Sequence, residues 1–333
     1  MKEVAFYQGE TEGKLRCGIC PHRCLLAEGE RGICGVRENR EGKLVSLNYG
    51  KIVAAGSDPI EKKPLFHFFP GSKAFSIAAA GCNMSCDHCQ NYRISQLSSE
   101  NIPGRSLSPE EAVGKAIDSG ADIIAHTYTE PTIFYEYARD VAQLARRRGL
   151  KNVFVTNGFI EKGPLEEIAP YLDAANVDLK SFSDDFYRDI CGARLEPVLK
   201  NIRSMKELGL WVELTTLVIP DLNDSREELN QISQFIADLD PAIPWHVSRF
   251  RPAFKMKDRS PTPVSKLKQA FRIGKDAGLN FVYQGNVPGE GEDTICPSCG
   301  TRLIERFGFQ VRENLLEGNR CPQCGEKIAG EWG

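Results

Sequence analysis

The sequence has no apolar run long enough to span a bilayer, and its opening "MKEVAFYQGETEG" lacks the apolar core of a signal peptide. It also lacks a charge excess: 42 Lys and Arg stand against 45 Asp and Glu, for a formal charge of −3. Without a basic, aromatic-rich face, that balance argues against a broad electrostatic hold on nucleic acid or acidic membranes. The one basic run, Arg146 to Arg148, ends an expected helix before Gly149 and complements the helix dipole there. The expectation is a cytoplasmic protein that binds neither nucleic acid nor membrane. What the sequence has in quantity is cysteine, 12 in all. With no secretory signal these imply metal binding rather than disulfides.

From about Ala74 to Gln284 short apolar runs alternate with helical stretches. The runs are "AFSIAAA", "ADIIAHTY", "KNVFVT", "AANVDLK", "WVELTTLVI", "WHVSRF" and "LNFVYQG". In "SPEEAVGKAIDSG" Ser108 is the expected N-cap, Pro109 the first helical residue and Glu111 the completion of a capping box. Buried strands separated by helices imply an α/β fold with a parallel sheet, closed into a partial or full (β/α) barrel. The cysteines outside the alternation form separate modules, so the expected domains are residues 1–72, 73–288 and 289–333. Chemistry in such folds belongs at the carboxyl ends of the strands. "GCNMSCDHC", "TYTEP", "TNG" and "DLK" fall there, after successive strands.

Cys82, Cys86 and Cys89 have C-x3-C-x2-C spacing. Short thiol spacings suit iron–sulfur clusters, and a four-iron cube held by three cysteines leaves one iron open to an outside ligand. A zinc site using His88 as fourth ligand is the rival, but His88 adjoins Cys89 and shares a metal with it only under strain. Asp178 and Lys180, two apart at a strand end, share a side. Read alone, Glu130–Pro131 is a helix cap, Asp178–Lys180 a surface ion pair, His246 a satisfied core histidine and Cys191 a small buried side chain.

The cysteine loop resembles that of the radical S-adenosylmethionine (SAM) superfamily. The resemblance implies a 4Fe-4S cluster on Cys82, Cys86 and Cys89, with the amino and carboxylate groups of SAM on the open iron. It sets His88 where an aromatic residue usually packs near the adenine. "TYTEP", with Thr129 and Glu130, takes the place of the "GGEP" stretch whose backbone holds the SAM amino group in glycyl-radical activating enzymes. Lys180 is implied to meet the SAM carboxylate, and Asp178 to orient the cofactor or a nearby cation. "TNG", with Asn157, matches too, but Val155 replaces the aspartate that carries a cation site there. His246 matches a histidine near the SAM ribose.

Beyond the loop, "CGICPHRC", "GICGVREN", "DPIEKKPLFHFFPG", "CQNYRISQ", "YTEPTIFYEYA", "HVSRFRPAF", "YQGNVPG" and "CPSCG…CPQCG" look like the AmmeMemoRadiSam-system radical SAM enzymes. These are relatives of the pyruvate formate-lyase activating enzyme. The resemblance implies reductive cleavage of SAM to a 5′-deoxyadenosyl radical that abstracts hydrogen from a substrate. It implies reduced flavodoxin or ferredoxin as electron donor, and AMMECR-type and Memo-type proteins as partners. The rival enzyme reading is a glycyl-radical-enzyme activase acting on a protein. The rival of another class is a zinc-ribbon nucleic-acid-binding or scaffold module.

Cys296, Cys299, Cys321 and Cys324 have zinc-ribbon spacing, which implies a closed structural zinc site. Cys17, Cys20, Cys24 and Cys34 suit either zinc or a second iron–sulfur cluster. Cys191, left over near the "DLK" strand end, is a candidate catalytic thiol that exchanges a hydrogen atom with substrate.

Overall fold

The computed structural model describes residues 1–97, 101–287 and 289–333. Pro288, in the "YQGNVPG" motif and at the end of the expected barrel domain, lies outside the described residues. The central sheet runs β1 (Lys51–Pro59), β2 (Lys73–Ala79), β3 (Ile123–His126), β4 (Lys151–Thr156), β5 (Ala174–Asp178), β6 (Trp211–Val218), β7 (Trp245–Arg249) and β8 (Val282–Gly285). Neighbours in space follow chain order, and β2 through β8 are all parallel. β1 is antiparallel to β2, and Arg105–Ser106 pairs on its outer side. β8 and Arg105–Ser106 are therefore the two edges. The sheet is an open, partial barrel.

The parallel strands are buried on both faces: every residue of β3, and every residue of β2 after Lys73, is buried. That double burial explains their continuous apolar runs and requires helices on the outside. Two helices show how the sequence meets this need. α1 (Pro109–Asp118) starts with the expected capping box, Glu111 N donating to Ser108 Oγ at 3.1 Å and Ser108 N to the Glu111 carboxylate at 2.7 Å. α2 (Tyr135–Arg147) buries Tyr137, Ala138, Val141 and Ala145 and leaves Arg146 and Arg147 in its last turn. Gly149 follows with φ +79°. Among the described residues no helix is long and apolar enough to cross a membrane.

Two small antiparallel sheets precede the barrel, and a third, over Thr294–Ile295, Arg302–Phe307 and Gln310–Asn314, follows it. β1 falls inside the stretch expected as the N-terminal module, yet it belongs to the barrel's sheet. The C-terminal unit docks through buried polar contacts. Arg306 Nη2 donates to the Phe66 carbonyl at 2.7 Å, and His67 lies 2.7 Å from the Ala329 carbonyl.

Candidate active site

β2 delivers the chain to the cysteine loop through Gly81, at φ +106°. A Cβ there would lie 2.9 Å from both the Cys34 carbonyl oxygen and Val36 Cγ1, so only glycine fits. Backbone bonds pin the loop: Ser85 N donates to the Cys191 carbonyl at 2.8 Å, Asp87 N to the Ile190 carbonyl at 3.0 Å, and Lys255 N to the Asp87 carbonyl at 3.1 Å. Each thiol has a polar neighbour. Met84 N lies 3.4 Å and Asn157 Nδ2 3.8 Å from Cys82 Sγ, and Ser95 Oγ lies 3.2 Å from Cys89 Sγ. Cys191 neighbours Cys86, and their interaction lowers the Cys86 pKa and raises that of Cys191.

The donor spacing distinguishes the cysteine sets. Thiolates about 2.3 Å from one tetrahedral zinc stand about 3.8 Å apart. Cys296 and Cys324 sulfurs are 3.6 Å apart, those of Cys299 and Cys321 3.7 Å, and all four donors lie within 4.8 Å of one another. Among the described residues, no three donors of Cys82, Cys86, His88 and Cys89 are that close. The loop therefore lacks the closed donor set of a single tetrahedral ion, and thiolates are the donors that iron–sulfur clusters take. His88 is buried, its ring tilted against Phe186 at 6.1 Å. Burial, then the Lys180 charge, pushes its pKa down to about 3, so the imidazole is neutral.

The charged pair at the end of β5 faces this loop. Leu179 is fully buried, while Lys180 Nζ donates to Asp178 Oδ2 at 2.9 Å. Burial opposes the Lys180 charge, but Asp178, then Cys86 and Cys191, outweigh it and raise its pKa. The backbone of Lys180 is fixed as well, its N–H donating to the Tyr187 hydroxyl at 3.1 Å and its carbonyl accepting from Asn223 at 2.6 Å.

In "TYTEP" Tyr128 has φ +64°, the left-handed conformation that glycine takes most readily. Its carbonyl accepts from Asn91 Nδ2 at 2.7 Å, and Thr129 Oγ1 donates to the Ala79 carbonyl at 2.7 Å, so the segment is tied to both ends of the cysteine loop. Glu130 is buried and uses its carboxylate internally. It accepts from Thr132 N at 3.0 Å, Thr156 Oγ1 at 2.7 Å and Asn157 N at 2.8 Å. Asn157 Nδ2 in turn donates to Asn83 Oδ1 at 2.8 Å. Burial raises the Glu130 pKa. Its side chain braces strand ends, which leaves the backbone of the segment to meet a ligand.

His88, Thr129, Asn157, Asp178, Lys180 and Cys191 thus gather around the cysteine loop, with Glu130 bracing behind them. His246 does not join them through its hydrogen bonds or ring contacts. Its Nε2 lies 2.6 Å from the Glu213 carboxylate, and its ring stacks on Tyr283 at 5.2 Å and meets Phe66 edge-on at 4.8 Å. That buried cluster continues through the Tyr283 hydroxyl to Thr294 and Arg306 of the C-terminal unit. Asn83, Asn91 and Ser95 contribute to the loop without having been singled out in the sequence. Each lies within or just after the cysteine motif, which was the available signal.

The profile of the Radical SAM superfamily matches residues 76–232, from within β2 to within the helix Arg226–Leu239. The uncharacterized protein MJ0808 of Methanocaldococcus jannaschii is 48% identical over 332 residues, covering 98% of this chain and 99% of that one. The chain belongs to the radical SAM superfamily. The pyruvate formate-lyase-activating enzyme of Clostridium pasteurianum is a more distant relative, 23% identical over 165 residues, which are 48% of this chain and 67% of that enzyme. In fold, the crystal structure of a radical SAM methyltransferase from Sphaerobacter thermophilus matches with a TM-score of 0.52 at 16% identity, covering 65% of this chain and 67% of that one. Membership of a radical SAM family makes the chain an enzyme and displaces the reading as a nucleic-acid or scaffold module. It implies a 4Fe-4S cluster and SAM as cofactors, and the donor set of the cysteine loop agrees with that.

Proposed function

We propose that Cys82, Cys86 and Cys89 hold a 4Fe-4S cluster with SAM seated against it by the residues of the strand ends. When bound, this pair supplies one-electron cleavage of SAM to methionine and a 5′-deoxyadenosyl radical that abstracts hydrogen from a substrate. The observation that carries the reading is Lys180, half-buried and ion-paired with Asp178 at 2.9 Å at the strand end that faces the cysteine loop. An ammonium there complements a chelating carboxylate in a water-poor site. His88, neutral and buried, offers an imidazole face to the adenine, and the backbone at Thr129 offers acceptors to the amino group. Asn157 orients the loop through Asn83 and Cys82, and Cys191, beside Cys86, is the proposed thiol for hydrogen-atom exchange with substrate.

Within the superfamily we favour an AmmeMemoRadiSam-system enzyme, on the motifs that run the length of the chain. Reduced flavodoxin or ferredoxin is the proposed donor, AMMECR-type and Memo-type proteins are the proposed partners, and zinc is the proposed ion at the C-terminal cysteines. The relation to activating enzymes keeps a glycyl-radical activase as the second reading. Adding SAM to the anaerobically reconstituted, reduced protein should change the electron paramagnetic resonance spectrum of a cluster that depends on Cys82, Cys86 and Cys89. A spectrum indifferent to SAM would refute the seating.

A further inference from the structure

The N-terminal cysteines do not have the geometry of the C-terminal ones. Cys17, Cys20, Cys24 and Cys34 line one cavity with Ile19 and Ile133 in its walls. Among the described residues, no three of these four sulfurs lie within 4.8 Å of one another, whereas the C-terminal four do. In this they match the active-site trio. A Cβ on Gly32 would stand 3.6 Å from Cys24 Sγ and 3.9 Å from Cys34 Sγ, which places Gly32 beside both thiols. Arg37, fully buried, also lines the cavity, and its Nε has no hydrogen-bond acceptor.

The cavity adjoins the active-site loop. His22, between Cys20 and Cys24, places Nε2 2.7 Å from the Asn83 carbonyl, next to Cys82. The Cys34 carbonyl is the group against which Gly81 turns. Cys34 and Cys82 both line a second cavity of about 510 Å³. A thiolate-held group in the first cavity would be separated from one on Cys82 by little more than the loop itself.

We propose that Cys17, Cys20, Cys24 and Cys34 hold a second iron–sulfur cluster that relays electrons to the active-site cluster. Its reductant is a low-potential one-electron flavin or iron–sulfur protein. The donor loses one electron, the second cluster gains it, and the active-site cluster then takes it, so the second cluster returns to its starting state and no atoms are transferred. The relay rests on the radical SAM reading; the occupancy of the four cysteines by a cluster does not.

Two variants of the full chain test this. With Cys82, Cys86 and Cys89 all changed to Ala, the reconstituted protein should keep about two to four iron atoms and matching sulfide per chain. The signal of that cluster after dithionite reduction should be unmoved by SAM. Zinc in its place, or no metal, overturns the proposal. With Cys17, Cys20, Cys24 and Cys34 changed to Ala, the SAM-responsive cluster should persist but be reduced by flavodoxin at least ten-fold more slowly than in the wild type. Reduction at the wild-type rate overturns the relay. Should this second variant not fold, iron and zinc analysis of the first still decides the site. A first variant that holds its cluster, beside a wild type that never responds to SAM, would sink the radical SAM seating and leave the second cluster standing.

Discussion

His22 Nε2 lies 2.7 Å from the carbonyl oxygen of Asn83, joining the N-terminal cysteine loop to the active-site loop at its first cysteine. The His22 ring also meets Phe159 edge-on at 5.0 Å, and the Phe159 carbonyl accepts from Asn83 Nδ2 at 2.7 Å. Asn83 is thus held by the module before the barrel and by the strand end carrying Asn157. The two cysteine loops form one packed unit, so changes at their junction should be felt by both.

Gly81 is the sharpest point of that junction. Gly81→Ala combines a left-handed backbone with contacts of 2.9 Å to Cys34 and Val36, and should cost about 2–5 kcal/mol. Gly29→Ala has φ +77° but nothing within 4 Å, and should cost only about 1 kcal/mol. Urea denaturation of the metal-free chains would compare them. Equal costs would mean the packing of Cys34 against Gly81 is not as described.

Lys180→Ala should weaken SAM binding by about ten- to a hundred-fold, from the loss of one charge-assisted hydrogen bond of ~1.5–3 kcal/mol. The cluster should remain, since Lys180 is not a ligand. A SAM titration followed by the spectrum of the reduced cluster measures the change. Wild-type affinity would show that Lys180 serves only Asp178.

Acid sensitivity should trace in part to His126. It is fully buried beside Phe134 and Phe154, neither ring nitrogen has a hydrogen-bond partner, and burial pushes its pKa down to about 3. The unfolded chain therefore binds this proton more readily, near the ordinary value of about 6.5. Stability is whole above that pH and falls as the pH drops toward 3, by up to ~1.4 kcal/mol per unit for one such group. His126→Phe should flatten the stability profile between about pH 6 and pH 4. An unchanged slope would assign the acid sensitivity to other groups, His67 and His88 among them.

The C-terminal cysteines should hold one zinc per chain without touching the chemistry. Cys296→Ser should lower the zinc content by about one and loosen the contacts that Arg306 makes with Phe66 and Thr294. The SAM-dependent signal should stay. Iron with a rubredoxin-like visible spectrum at these four thiols would make them an electron entry point instead.

The parallel barrel was legible because strands buried on both faces are written as continuous apolar runs, and because Ser108, Pro109 and Glu111 mark a helix start chemically. β1 was harder. As an antiparallel strand it alternates half-buried and exposed positions from Ala54 to Pro59, and it follows a cysteine-rich stretch with sheets of its own. The site's outline was legible from motif positions at strand ends. The partners of individual side chains were not. His246 is paired with Glu213 by a neighbouring strand, a relation that exists only once the register of β6 and β7 is known. Tyr128 takes a glycine-like backbone without a glycine to announce it, and the contact between Cys191 and Cys86 depends on a loop returning past Ile190.

Three thiolates at the end of β2 are proposed to make this chain a SAM-cleaving enzyme. The direct measurement is 5′-deoxyadenosine formed by the anaerobically reconstituted protein with SAM and dithionite, wild type beside the variant with Cys82, Cys86 and Cys89 changed to Ala. The account predicts 5′-deoxyadenosine and methionine in equal amounts from the wild type and none above background from the variant. Equal production by both, or none by a wild type that carries its full iron, would contradict it.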